Sequence, residues 1–219
     1  MLYIAHKLLD QESAKHLKER LISCSDWVEG KETAMGRAKD IKRNLQLCYG
    51  DSYKSFAKEI VNILNNNNTF TCYTMPKKIF SILFSRTGVG GFYGAHCDFP
   101  YNPIGRRDLS FTLFLNQPSE YEGGELILNI PPIQKTVKLN AGEIVVYPTK
   151  YLHEVSKVSK GERIVCVGWI HSQISNDIDR ETLYNLRLGL GELKQIKNTQ
   201  AIYNRFNLTY MNLYKRFLD

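Results

Sequence analysis

The chain has 219 residues, of which 43% are hydrophobic and 23% charged, an ordinary globular composition and a length that buries a core without disulfides. Its formal net charge is +7, but no dense Lys/Arg block accompanies it, so the lysines read as scattered solvated residues and a nucleic-acid partner is not expected. No run of about 18 apolar residues occurs, which excludes a helical membrane span, and the five cysteines (Cys24, Cys48, Cys72, Cys97 and Cys166) are odd in number and lack a Cys-x-x-Cys pair, which argues against a disulfide framework or zinc ribbon.

Near the start, Lys7 and Asp10 interrupt a short apolar run, so a secretory leader is not expected and the thiols read as reduced, in the cytoplasm. Residues 11–23 predict an amphipathic helix, with Ala14, Leu17 and Leu21 on one face and Asp10 as N-cap. Residues 52–64 predict a second, with Tyr53, Phe56, Ile60 and Leu64 aligned, ending at the turn-forming run Asn65–Asn68. From Lys78 to His171 the pattern changes to short β-branched and aromatic runs: Ile79–Ser85, Leu109–Asn116, Glu125–Ile130, Lys135–Leu139, Glu143–Tyr147 and Arg163–Ile170. Glycine and proline pairs punctuate them, as in an all-β sandwich or barrel. Helical spacing returns over 177–195 and 198–217, with Gly189 and Gly191 near the join. The fold class is therefore α+β with a mainly β core. The expected division is a helical support region over 1–75, a β domain over 76–173 and a helical extension over 174–219. The last offers either a homodimer contact or a cover for the β core.

Within the β region stands Tyr93-Gly94-Ala95-His96-Cys97-Asp98. Strand alternation puts His96 and Asp98 on one side, so an imidazole nitrogen and a carboxylate oxygen can reach one ion. His153, after the strand Glu143–Tyr147 and a turn, is the candidate third ligand. Two histidines and a carboxylate leave three positions open on an octahedral metal, the ligand set of non-haem iron(II) oxygenases; hydrolytic zinc sites use a similar set. Arg163, ten residues after His153, opens the strand Arg163–Ile170. A strand paired beside the ligand strand would aim its fork of donors into the same cavity, where it suits a carboxylate. A hydrolytic zinc site has no need of that group; an oxygenase with a dicarboxylate co-substrate does.

The assembled motifs resemble the PKHD-type hydroxylases, relatives of prolyl 4-hydroxylases in the iron/2-oxoglutarate dioxygenase superfamily. The resemblance is carried by Tyr-Gly-Ala-His-Cys-Asp at 93–98, Arg-Arg-Asp-Leu-Ser-Phe-Thr-Leu-Phe-Leu-Asn at 106–116 and Gly-Gly-Glu-Leu at 123–126. It continues through Leu-Asn-Ala-Gly-Glu-Ile-Val-Val-Tyr-Pro at 139–148, Leu-His-Glu-Val at 152–155, Lys-Gly-Glu-Arg-Ile-Val at 160–165 and Gly-Trp-Ile at 168–170, with Asn44-Leu45-Gln46-Leu47 near the N-terminus. It implies a double-stranded β-helix, or jelly roll, with His96, Asp98 and His153 as iron ligands and Arg163 on the distal carboxylate of 2-oxoglutarate. By parity Trp169 faces the same way as Arg163 and walls the pocket. Where many relatives have Arg-Tyr this chain has Arg86-Thr87, and Phe114 stands where some animal relatives offer a tyrosine; Thr112 is the substitute hydroxyl. The resemblance further implies Fe(2+), 2-oxoglutarate and O2, with L-ascorbate as reductant and succinate and carbon dioxide as co-products. The expected substrate is a peptide, protein or small molecule, with peptidyl proline suggested by the family's naming. Loops at Gly88–Gly91 and 99–107 are expected over the pocket, with Phe99-Pro100-Tyr101 as an aromatic wall. Two other readings compete: a catalytically silent β-helix that binds a partner, and a nucleic-acid demethylase of the same superfamily. The intact ligand set opposes the first. The lack of an Arg-x-Asn-x-Thr pattern after His153 opposes the second.

Overall fold

The structure is a computed structural model and describes residues 3–32 and 40–218. The elements run β1 (Ile4–Lys7), α1 (Gln11–Ile22), β2 (Trp27–Glu29), β3 (Lys42–Arg43), β4 (Leu45–Leu47), α2 (Asp51–Asn66), α3 (Asn68–Thr74) and β5 (Pro76–Thr87). They continue β6 (Phe92–His96), β7 (Tyr101–Asn102), β8 (Gly105–Arg106), β9 (Leu109–Phe114), β10 (Tyr121–Glu122), β11 (Leu126–Ile130), β12 (Ile133–Val137) and β13 (Glu143–Pro148). The chain closes with β14 (Leu152–Val155), β15 (Lys160–Gly161), β16 (Arg163–Ser172), α4 (Asp177–Leu193) and α5 (Gln200–Phe217).

Among the described residues, two antiparallel sheets carry the fold. The major sheet has the order β1-β13-β9-β16-β5-β4-β2 and the minor sheet β12-β11-β14-β6-β3. Strand alternation divides the major sheet's side chains between two cores. Phe111, Leu113, Ile144, Val146, Ile164 and Cys166 point outward to a core shared with Leu17, Leu21, Ile60, Phe70 and Leu183 of the helices. Phe114, Val145, Tyr147 and Val165 point inward to Leu126, Leu128, Ile130 and Val137 of the minor sheet. Every residue of β9 is buried as a result, because helices cover one face and strands the other. Each fully buried Leu, Ile or Phe contributes about 1.5–3 kcal/mol. This sandwich matches the expected jelly-roll class.

Local chemistry sets the helix ends. The Ser13 backbone N–H donates to Asp10 Oδ1 at 2.7 Å, so Asp10 caps α1, and Ala14, Leu17 and Leu21 form its buried face as predicted. The asparagine run is more than a turn. Asn67 breaks the helix in an extended conformation and caps the next one, its Oδ1 accepting from the Phe70 N–H at 2.8 Å. The short helix α3, missing from the sequence reading, buries Phe70, Cys72 and Tyr73.

The N-terminal region, read from its sequence as helical, also supplies four strands. β1 pairs with β13, with Ile4 opposite Val146. β3 extends the minor sheet through Lys42 opposite Tyr93, and β4 joins β5 with Gln46 opposite Ser85. Gly189 and Gly191 lie in the closing turns of α4, just before the join with α5. Residues 99–107 are not wholly irregular either: β7 and β8 form a ribbon whose turn is pinned by Ile104 and Gly105 N–H groups donating to Asn102 Oδ1. All five cysteines are free, and among the described residues no helix is long and apolar enough to cross a membrane.

Candidate metal and co-substrate site

β14 and β6 are neighbours in the minor sheet, and their register sets His153 directly opposite His96. The two imidazole centroids are 4.4 Å apart. Asp98 follows β6 in a loop and turns back toward them: its Oδ1 lies 3.7 Å from His96 Nε2 and its Oδ2 3.8 Å from His153 Nε2. The three potential ligand atoms all lie within 4.8 Å of one another. The expected trio is thus brought together, although Asp98 reaches the cluster from a loop rather than from a continuing strand.

The surrounding bonds determine what these groups offer. His96 Nδ1 is 2.8 Å from the Gly94 carbonyl oxygen and His153 Nδ1 is 2.9 Å from that of Tyr151. A carbonyl only accepts, so each Nδ1 carries the proton and each Nε2 keeps its lone pair toward the cluster. Asp98 Oδ2 accepts from the Trp169 indole N–H at 2.9 Å and from the Ser110 hydroxyl at 3.2 Å. Ser110 is in turn 2.9 Å from the Thr149 hydroxyl. Tyr93 stacks on His96 with centroids 3.7 Å apart, and Tyr147 meets His153 edge-on at 5.5 Å. Burial, then the neighbouring His153, pulls the His96 pKa down to about 4, so the imidazole is a neutral, ligand-competent base at neutral pH. Burial pushes the Tyr93 phenol up to about 12 and drives Tyr147 upward as well, so both stay protonated.

Arg163 corrects one expectation. Its strand does not lie beside a ligand strand. β16 runs in the major sheet between β9 and β5, so Arg163 looks across the sandwich at a cavity whose other wall bears His96 and His153. The parity argument holds: Arg163, Val165, Val167 and Trp169 all line that cavity. Arg163 is only 3% exposed. Its acidic neighbour in sequence, Glu162, is taken instead by Arg86, with Nε to Oε1 at 3.1 Å and Nη2 to Oε2 at 3.0 Å. Arg163 Nε has no partner among the described residues. The guanidinium stacks over Phe114, its Cζ 5.5 Å from the ring centroid. Burial lowers its pKa, yet an arginine remains cationic. Tyr121, Tyr147 and Glu125 favour its charge, but among the described residues no carboxylate forms an ion pair with it, and such a buried cation is costly unless an anion arrives. Gly124 makes room for the arginine: its φ is positive, and a Cβ there would sit 3.1 Å from Arg163 Cδ.

Thr112 and Thr87 also line the cavity. Tyr147 of β13 lies in the same cavity and meets the Thr112 side chain. Sequence reasoning assigned no site role to Tyr147, Tyr93, Ser110 or Lys42. Parity could have found Ser110, two residues before Thr112, and Tyr93 lies in the quoted His-x-Asp motif. Lys42 lies on a two-residue strand whose partner is far along the chain and had no local signal. Trp169 does more than wall the pocket, since it holds Asp98 by hydrogen bond.

Fold and site define a class: a double-stranded β-helix of the non-haem oxygenase kind, with two histidines and a carboxylate on one inner wall and a buried arginine on the other. The comparisons agree. A family model described as the 2OG-Fe(II) oxygenase superfamily matches residues 82–171. A PKHD-type hydroxylase of Prochlorococcus marinus strain NATL1A is 39% identical over 221 residues, covering 100% of both chains. Another, from strain MIT 9301, is 40% identical over 196 residues, 88% of each. A crystal structure of a Pseudomonas putida prolyl-4-hydroxylase shares the fold, with TM-score 0.56 and 19% identity over 78% of this chain and 92% of that one. So does a Trichoplax adhaerens prolyl hydroxylase bound to a hypoxia inducible factor peptide fragment, with TM-score 0.56 and 14% identity over 83% and 86%. The chain belongs to the PKHD-type hydroxylases of the 2OG-Fe(II) oxygenase superfamily. Membership implies Fe(2+), 2-oxoglutarate and O2 as its reaction partners.

Proposed function

We propose that His96, Asp98 and His153 hold ferrous iron, that Arg163 binds the distal carboxylate of 2-oxoglutarate, and that the protein hydroxylates a substrate C–H bond. The observation that carries this is the meeting of two Nε2 lone pairs and a carboxylate within 4.8 Å. The residues fit the group. Both histidines are held in the ligating tautomer by backbone carbonyls, and three ligands from one wall leave the cavity side open. Across the cavity, Arg163 offers a charged fork with an unpartnered Nε, which matches a carboxylate.

When bound, the metal with 2-oxoglutarate and O2 supplies the oxidising power, the co-substrate becoming succinate and carbon dioxide as one oxygen atom enters the substrate. The chain's residues do the rest. Arg163 neutralises and orients the far carboxylate. Thr112 and Tyr147 line the path between Arg163 and His153. Trp169 and Ser110 hold Asp98 in one orientation, and Val155, Val165 and Val167 keep the chamber apolar. L-ascorbate is the reductant expected to keep the iron ferrous. The structurally similar proteins of Pseudomonas putida and Trichoplax adhaerens are prolyl hydroxylases, which favours a peptidyl proline as substrate.

The test is succinate release by anaerobically iron-loaded protein on admission of O2 and 2-oxoglutarate, with iron binding measured in parallel. Asp98→Ala and His153→Ala should lose both. Succinate release that persists in a folded Asp98→Ala protein without bound iron would sink the assignment.

A further inference from the structure

Residues 42–47 pass from the edge of the minor sheet (β3) to the major sheet (β4) and close one end of the cavity. Alternate side chains, Lys42, Asn44 and Gln46, face inward, while Arg43 and Leu45 are exposed. Lys42 lies opposite Tyr93 in register, with its Nζ 5.2 Å from the ring centroid, and Tyr93 stacks on His96. Among the described residues, no carboxylate lies within ion-pair distance of this ammonium and no oxygen accepts from it. Burial lowers its pKa to about 8, against the opposing influence of Asp98. Asn44, its neighbour on the same face, donates from Nδ2 to Ser85 Oγ at 2.6 Å, but its buried Oδ1 has no donor. The chain leaves room for both: a Cβ on Gly30 would lie 2.0 Å from Asn44 Oδ1 and 3.1 Å from Lys42 Cε.

Charge balance shows what is missing. Asp98 is the one carboxylate lining the cavity among the described residues. In the loaded site proposed above, Arg163 offsets one carboxylate of 2-oxoglutarate. The other carboxylate, together with Asp98, offsets a ferrous ion. The lysine charge remains, and a ring face attracts a cation without neutralising it. Arg107, with its Cζ 4.2 Å over the Trp169 ring, its Nη1 donating to the Phe99 carbonyl at 3.3 Å and its Nε without a partner among the described residues, adds to the positive field but does not line the cavity.

We propose that the primary substrate carries a carboxylate and that Lys42 receives it, with Asn44 Oδ1 accepting an N–H or O–H beside it. The inference rests on the oxygenase reading. The carboxylate comes either from a free carboxylic acid or from an acidic residue of a peptide.

The test uses the iron-loaded protein with 2-oxoglutarate and measures acceleration of succinate release above the substrate-free rate. One arm compares free L-amino acids with their carboxamides. The other compares proline-containing peptides bearing Glu or Asp with the same peptides bearing Gln or Asn. The expected result is acceleration by acids over amides in one arm, and the arm that responds identifies the source. In Lys42→Gln the acid-over-amide preference should collapse by about tenfold or more, the scale of one charge-assisted bond, and Lys42→Arg should restore it. A second readout needs no turnover: the Kd of the best acid, by calorimetry on protein loaded with zinc and 2-oxoglutarate, should weaken about tenfold in Lys42→Gln. Amides that match acids, a preference that survives Lys42→Gln, or acids inert in both arms while basal succinate is normal would each overturn the proposal. Absence of basal succinate strikes the oxygenase reading instead.

Discussion

Replacing Trp169 with phenylalanine isolates one bond. The indole N–H donates to Asp98 Oδ2 at 2.9 Å, and phenylalanine removes that donor while keeping a ring beneath Arg107. A hydrogen bond to a charged acceptor is worth about 1.5–3 kcal/mol. At about 1.4 kcal/mol per tenfold, that corresponds to roughly 10–100-fold in metal affinity, the usual cost of losing a partner that orients a ligand. Ser110 still donates to the same oxygen at 3.2 Å, so the loss should sit near the lower end, about 10-fold. The assay is anaerobic competition for Fe(II) against a chromophoric chelator, with thermal unfolding as a control on folding. Ser110→Ala alone should cost less, and the double variant more than the sum, because Oδ2 then has neither donor. A folded Trp169→Phe protein with unchanged iron affinity would refute the argument that this indole orients a ligand.

Arg163→Gln should raise the 2-oxoglutarate requirement by about tenfold or more while metal binding persists, since a charge-assisted pair is lost and the ligand trio is untouched; initial rates against 2-oxoglutarate concentration and a parallel iron titration check both halves. The metal-free protein should lose stability as pH falls. Burial holds the folded His96 pKa near 4, against 6.5 without it, so below about 6.5 the unfolded imidazole takes a proton the folded one refuses, and the loss levels off below about 4. Urea midpoints against pH should show that slope, and His96→Ala should flatten it. Gly168→Ala should cost about 1–3 kcal/mol by overpacking, because its Cβ would lie 2.7 Å from Phe111 Cε1 and 2.9 Å from Ile82 Cδ1; the unfolding temperature should drop by a few degrees.

Much of this protein is legible along the chain. The 3.6-residue spacing of Ala14, Leu17 and Leu21 in α1, and of Phe56, Ile60 and Leu64 in α2, fixes which helix face is buried, because each helix satisfies its own backbone and needs only an apolar stripe. Two-residue alternation in β16 likewise orients Arg163 and Trp169 to the same side. Local pattern also nominated the metal trio, since His96 and Asp98 are two residues apart and His153 follows the strand Glu143–Tyr147 and a turn.

Pairing between distant segments was decided by the tertiary structure alone. β1, β3 and β4 are two to four residues long and too short to announce themselves; they are strands because β13, β6 and β5 supply hydrogen-bonding edges far along the polymer. The same cause moved Arg163 to the opposite wall, brought Tyr147 into the cavity beside Thr112, and left Lys42 facing the cavity. Periodicity states which side a residue faces. Only the assembled sheets state what it faces, because that depends on edges and registers formed between segments that no local pattern connects.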